Sequence, residues 1–187
     1  MFSESDRGCI LIGTSVLDDV LSSLLQKHLG RTDHVNKSAM EPLFAGMGPL
    51  STFSARIKLA YCLELIKKWE FEDLERIRKI RNKAAHEYTA KTFTNNEIIQ
   101  ITRQLKGADH AVNAMKSNLT ESGQPIKQEK SVARQATSME RLRFEFTVVY
   151  IAGRIDVLAN LPSQTLELLA ERGRNRAEHR NPGGVSP

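Results

Sequence analysis

A chain of 187 residues is long enough to bury one hydrophobic core and leaves little for a second. Hydrophobic residues make up 40% and charged residues 26%, the proportions of an ordinary globular domain. A net charge of +5, with a pI of about 9.3, tolerates a nucleic-acid partner but is too mild to demand one.

The opening residues, Met1 to Gly8, mix acid and base, and the apolar run Cys9 to Gly13 is too short for a signal peptide. The apolar stretch Phe146 to Leu161 is broken by Arg154 and Asp156, so it is not expected to span a bilayer. The expectation is a cytoplasmic protein without a membrane partner. Cys9 and Cys62 each sit in an apolar helical pattern, with no second Cys or His at metal-ligand spacing. They are expected to be buried free thiols, and no metal or cofactor is expected.

Taken in chain order, Ser3 to Leu29 reads as a helix. Ile10, Val16, Val20, Leu21, Leu24 and Leu25 recur at three- and four-residue steps, Ser3 with Asp6 offers a capped start, and Gly30 a stop. Gly30 to Leu50 reads as a polar linker ending in the turn Gly46-Met47-Gly48-Pro49. A second helix, about Ser51 to Trp69, is apolar nearly all round, which predicts a central position. A third runs from Phe71 to about Tyr88, with Glu72–Arg76 and Glu75–Lys79 at favourable i,i+4 spacing. Thr94 with Glu97 forms a capping box opening a fourth, which carries Ile98, Ile101 and Leu105 until Gly107 interrupts it. Ala108 to Leu119 continues as a separate helical piece.

Residues 120–137 are polar and read as a loop. A long helix follows over about Ser138 to Asn160, with Leu142, Phe146, Val149, Tyr150, Gly153 and Val157 on one side, and Pro162 ends it. Residues 161–187 read as a basic tail with one short helix, Thr165 to Glu171, in which Arg172, Arg174, Arg176 and Arg180 outnumber Glu171 and Glu178. No β-period of useful length and no repeat is present. The expected fold is all-α, a single-domain multi-helix bundle over residues 1–160.

A basic helical protein invites a search for a helix-turn-helix. The best candidate, Ile98 to Met115 around Gly107, places Arg103 where a small residue is needed and Asn113 where an apolar one is needed. The sequence contains no GxSxG, P-loop, GxGxxG or HExxH signature, and the five histidines (28, 34, 86, 110, 179) are scattered.

One segment stands out: Ile80-Arg81-Asn82-Lys83-Ala84-Ala85-His86. Arg81 projects into an apolar stripe made by Leu74, Ile77, Ile80, Ala84, Ala85 and Tyr88, where an unpaired guanidinium would cost several kcal/mol. A buried, partnered Arg81 is therefore expected. It is either a structural tie between helices or, with His86, a pair that handles a phosphate.

Three stretches together resemble the mannitol operon repressor family. They are Glu4 to Cys9, Leu43 to Tyr61 with its Gly48-Pro49-Leu50-Ser51 core, and Ile77 to His86. The matching positions include Arg7, Gly8, Gly48, Pro49, Ser54, Arg56, Lys58, Arg81, Asn82 and His86. The resemblance implies an all-helical repressor of a sugar-alcohol operon without a recognisable DNA-binding domain. The Arg-Asn-x-x-x-His segment is also similar to the signature of HEPN ribonuclease domains, which pair through this helix and build an RNA-cleaving site from two copies. That similarity implies Arg81, Asn82 and His86 as the site.

The leading expectation is a non-enzymatic regulator acting through other regulatory proteins, with no catalytic residue. A homodimer, and weak non-specific nucleic-acid contact through the basic tail, are compatible with it. The alternative is a metal-independent ribonuclease or an RNA-binding protein.

Overall fold

The structure, a computed structural model, describes residues 4–31, 36–86, 92–122, 138–162 and 165. These form seven α-helices and a short 3-10 turn, with no strand among the described residues. The helices are α1 (Asp6–Leu29), α2 (Lys37–Phe44), α3 (Phe53–Cys62), α4 (Lys68–His86), α5 (Asn96–Arg103), α6 (Gly107–Ser122) and α7 (Met139–Asn160). The turn, Thr92–Thr94, precedes α5. The expected all-α bundle is what the chain forms. The loop expected before α7 and the tail beyond residue 161 fall almost wholly outside the described residues, as do His34, Tyr88 and His179.

At the centre, α1 and α7 run in parallel. Asp6 meets Arg141 at 3.0 Å near their N-terminal ends, and Lys27 meets Asn160 at 2.7 Å at the other. Close approach is possible because Gly13 faces α7: a Cβ there would sit 3.1 Å from the Phe144 ring and 3.3 Å from Val148. Leu17, Leu21, Leu24 and Leu25 of α1 join Ile57, Leu74, Ile77, Ile80, Phe93, Ile98, Phe144, Ile151 and Ile155 in one core. Each such side chain contributes about 1.5–3 kcal/mol by leaving water. By length and composition α1 could cross a bilayer. Here its apolar side is the core of the fold.

Ser5, rather than Ser3, caps α1 by accepting from the Gly8 amide at 3.1 Å. Asn95, one residue after the expected Thr94, caps α5. The region read as a linker contains α2, capped by Asn36. Its Pro42 forgoes the bond to the Ser38 carbonyl, and the Ala45 amide closes the helix on the Glu41 carbonyl at 3.1 Å.

The expected central helix over Ser51 to Trp69 is two elements. α3 stops at Cys62, and Glu64 turns the chain at a left-handed φ of 57°. Leu65, Ile66 and Trp69 then belong to the turn and to α4, so the all-round apolar surface never exists on one helix. In α3 itself only Ile57 and Ala60 are buried, and Cys62 is exposed, against the expectation of two buried thiols.

The long helix α7 has the expected span but faces the other way. Its buried side is Arg141, Phe144, Glu145, Thr147, Val148, Ile151, Ile155 and Ala159. Phe146, Val149 and Val157 are exposed. Polar residues on the inward side hid it from an apolar count, and each has a partner. Arg141 bonds Asp6 at 3.0 Å and Glu145 at 3.1 Å, and the Thr147 hydroxyl accepts from the Ala108 amide at 3.1 Å.

Candidate functional site

The C-terminal half of α4 presents Arg81, Asn82, Lys83 and His86 to solvent while Ile80 and Ala84 face the core. Arg81 is therefore not buried, contrary to the sequence expectation. Its hydrogen-bond partner is its neighbour, the Asn82 side-chain oxygen, at 3.3 Å. The inward row of α4 is Glu70, Asp73, Ile77, Ile80 and Ala84. Two members of that row are carboxylates, so counting apolar residues alone drew the stripe toward Arg81, which lies about 100° round from Ile80. Both carboxylates are satisfied. Glu70 accepts from Arg154 at 2.7 Å and from the Lys67 amide at 2.6 Å. Asp73 accepts from the Lys106 and Gly107 amides, each at 2.8 Å, and from Arg76 at 3.1 Å. Burial raises the Asp73 pKa, and the two amide bonds pull it back.

Asn82, Lys83 and His86 line an open depression whose far side is Asn95 and Glu97 at the start of α5. Lys83 and Glu97 form an ion pair across it. The depression offers amide, imidazole and charged groups on a rigid helix, a surface suited to a polar or anionic contact. Asn95 and Glu97 were read in the sequence only as helix-start residues; nothing in their spacing from His86 announces that they share a wall with it. No cluster of three or more His, Cys, Asp or Glu side chains with metal-binding geometry occurs among the described residues.

Residues at the start of α1 support this end of α4. Arg7 donates to the Ala85 carbonyl at 3.2 Å, one of the carbonyls a helix end leaves without an amide. Gly8 lies in the first turn of α1 beside the Ser5 cap, where a Cβ would press on Glu4 and Ser5 at 3.2–3.3 Å.

The Gly48 to Lys58 stretch lies apart from the depression and builds a corner between α1, α2 and α3. Gly48 is obligatory: a Cβ there would stand 2.5 Å from the Leu43 carbonyl oxygen and closer still to that of Pro42. Pro49 is exposed in the turn, Ser54 is half-buried in the first turn of α3, and Lys58 is exposed. Arg56 holds the corner, donating to the Leu50 carbonyl at 2.8 Å and to Asp18 of α1 at 2.6 Å. Asp18 had no sequence signal; its role follows only from the packing of α1 on α3.

With this geometry in place, comparison with known proteins identifies the chain. The profile of the mannitol repressor family matches residues 3–151, which includes every helix but the last turns of α7. The protein belongs to the mannitol repressor family. The mannitol operon repressors of Escherichia coli strain K12 and of Escherichia coli O6:H1 are each 32% identical to it over 93 residues, 50% of this chain and 48% of theirs. The chain thus aligns with about half the length of those curated relatives. Among solved structures, the X-ray structure of the MtlR–HPr complex from Escherichia coli superposes with a TM-score of 0.59. It covers 82% of this chain and 92% of that one at 23% identity, a likeness of fold.

Proposed function

We propose that this mannitol repressor family member is a cytoplasmic repressor-type regulator of a sugar-alcohol or related carbohydrate operon, and that it acts through a protein partner rather than by reading DNA. The family match over residues 3–151 carries the reading. The fold it shares with a chain solved in an MtlR–HPr complex makes HPr the first partner to test.

The geometry of α5 and α6 supports the absence of a reading helix. Gly107 is not the turn of a helix-turn-helix but the first residue of α6, packed so tightly on α7 that a Cβ would stand 2.7 Å from Thr147. The amide end of α6, which a recognition helix would offer to DNA, is occupied by the buried Asp73 carboxylate.

A binding titration of the purified protein with HPr from the same organism tests the partner. Saturable binding supports the reading, and its absence removes HPr. A chromosomal deletion tests the role: transcription of a sugar-alcohol operon rises if the protein represses it, and an unchanged transcriptome removes the repressor assignment.

One observation keeps a second reading in play. Asn82 and His86 line the depression, with Arg81 exposed beside them, so a ribonuclease site assembled from this segment would be reachable by RNA. Cleavage of RNA by the protein, abolished by His86→Ala, would establish it; an inactive parent removes it.

A further inference from the structure

The outward side of α7 carries an apolar stripe, interrupted toward its C-terminal end by exposed Asp156 and Asn160. Phe146, Val149 and Val157 are 46%, 60% and 59% exposed, and half-buried Leu142 and exposed Gly153 complete the same stripe at steps of three and four residues. Cys9 touches Glu145, so the parallel register of α1 and α7 carries Ile12 and Val16 alongside Val149. Those two are 41% and 39% exposed and extend the stripe into a patch spanning two helices. The five exposed side chains present roughly 400 Å² of apolar surface, the size at which a patch on a soluble protein marks an interaction site. That is about half of the ~800 Å² each partner gives to a standard interface, close to the apolar share such interfaces carry.

We propose that this α1–α7 face is where a second copy of the chain docks, with the two α7 helices antiparallel and crossing at Gly153. A glycine inside an exposed helix lowers the stability of the free chain. Here a Cβ at Gly153 would meet nothing within 4 Å, so the fold itself does not require the small residue. A close helix crossing does. Val149 and Val157 stand four residues either side of Gly153, so a twofold axis there sets each valine on its counterpart and the contact closes on itself.

The flanking charges fit the same occupant. Arg154 is held by Glu70 at 2.7 Å, and Arg143 by Asp109 at 2.5 Å and the Leu105 carbonyl at 2.6 Å. Neither cation is free to recruit an acidic partner, and the exposed Asp156 at the edge of the stripe has its carboxylate accepting from Asn160 at 3.1 Å.

Sedimentation velocity of the full chain tests this. The wild type is expected at twice the 21.0 kDa chain mass, and Val149→Arg and Gly153→Leu at the single mass. Both altered positions are exposed, and leucine favours a helix over glycine, so each variant should keep its helical far-UV spectrum and a cooperative melt, which separates loss of the dimer from loss of fold. Met115→Arg alters an exposed apolar residue of α6 and should leave the dimer intact. A wild type that stays monomeric at about 100 µM, well above the Kd of a standard-size interface, overturns the proposal. So does a dimer that survives both α7 variants, or one that Met115→Arg breaks.

Discussion

Arg56 and Arg81 both lie on helices within the span that matches the family profile, yet the structure gives them opposite energetic weight. Arg56 ties Asp18 and the Leu50 carbonyl into one corner, with its side chain only 11% exposed. Arg56→Ala would leave Asp18 and that carbonyl without their donor, at a cost of about 2–3 kcal/mol. For a chain of this size that lowers Tm by roughly 4–12 °C. Arg81→Ala removes an exposed group bonded, among the described residues, only to its neighbour and should change stability by no more than about 0.5 kcal/mol. Thermal melts of the two variants decide it; a large loss in Arg81→Ala would show a buried role. The cysteines divide in the same way. Burial, with Glu145 beside it, pushes the Cys9 thiol up to about 12, so it stays protonated and unreactive near neutral pH. Cys62 is exposed. A thiol reagent should modify one cysteine of the native protein quickly, and peptide mapping should place it at Cys62. Rapid modification of Cys9 would mean that the α1–α7 contact opens readily.

At the scale of elements, the C-terminal end of α1 carries a pH dependence. His28 lies in the last turn, where the helix dipole favours an imidazolium. Burial, and then the neighbouring Arg31 charge, outweigh this and lower its pKa from 6.5. The folded chain then binds fewer protons at this site than the unfolded chain does. His28 therefore costs nothing above 6.5, and stability falls as the pH drops through that value. His28→Gln should flatten the fall when denaturation midpoints are compared between neutral and mildly acidic buffer; an unchanged slope would place the titrating group elsewhere. Which helices exist was largely legible in the sequence, because caps and apolar periodicity are local. α1 and α7 were placed to within a few residues, and Gly107 was recognised as a break. Which side of each helix faces inward was less legible. In α4 and α7 the inward rows contain Glu70, Asp73, Arg141, Glu145 and Thr147, and a buried polar residue is recognisable only once its partner on another element is known. The boundary between α3 and α4 was hidden for a different reason. The turn is made by Glu64 in a left-handed conformation, without the glycine or proline that would have announced it. The candidate site divides along the same line: His86 and Asn82 stood out in their own segment, but Asn95 and Glu97 join them only through folding.

At the scale of the molecule, the core formed by the described residues closes by the end of α7. Its buried apolar residues run from Cys9 to Ala159, and the last tie near the C-terminal end of α7 is the Leu161 carbonyl accepting from Arg31 at 3.2 Å. A chain cut after Leu161 keeps all of these contacts, so its Tm should lie within about 4 °C of the parent, the equivalent of 1 kcal/mol at most. The same truncation removes Arg172, Arg174, Arg176 and Arg180, which lie outside the described residues. If the protein touches duplex DNA only through charge, the full chain should bind any sequence weakly. Affinity should fall steeply between 50 and 200 mM salt, by roughly tenfold or more for a few phosphate contacts. The truncated chain should lose most of that binding while folding normally. Fluorescence anisotropy with a promoter duplex and a scrambled duplex, run beside the melts, separates the outcomes. Tight, salt-resistant binding to the promoter alone, retained after truncation, would place a sequence-reading surface on the helical bundle itself and end the partner-mediated account. A truncated chain that melts far below the parent would instead show that residues beyond 161 are part of the core.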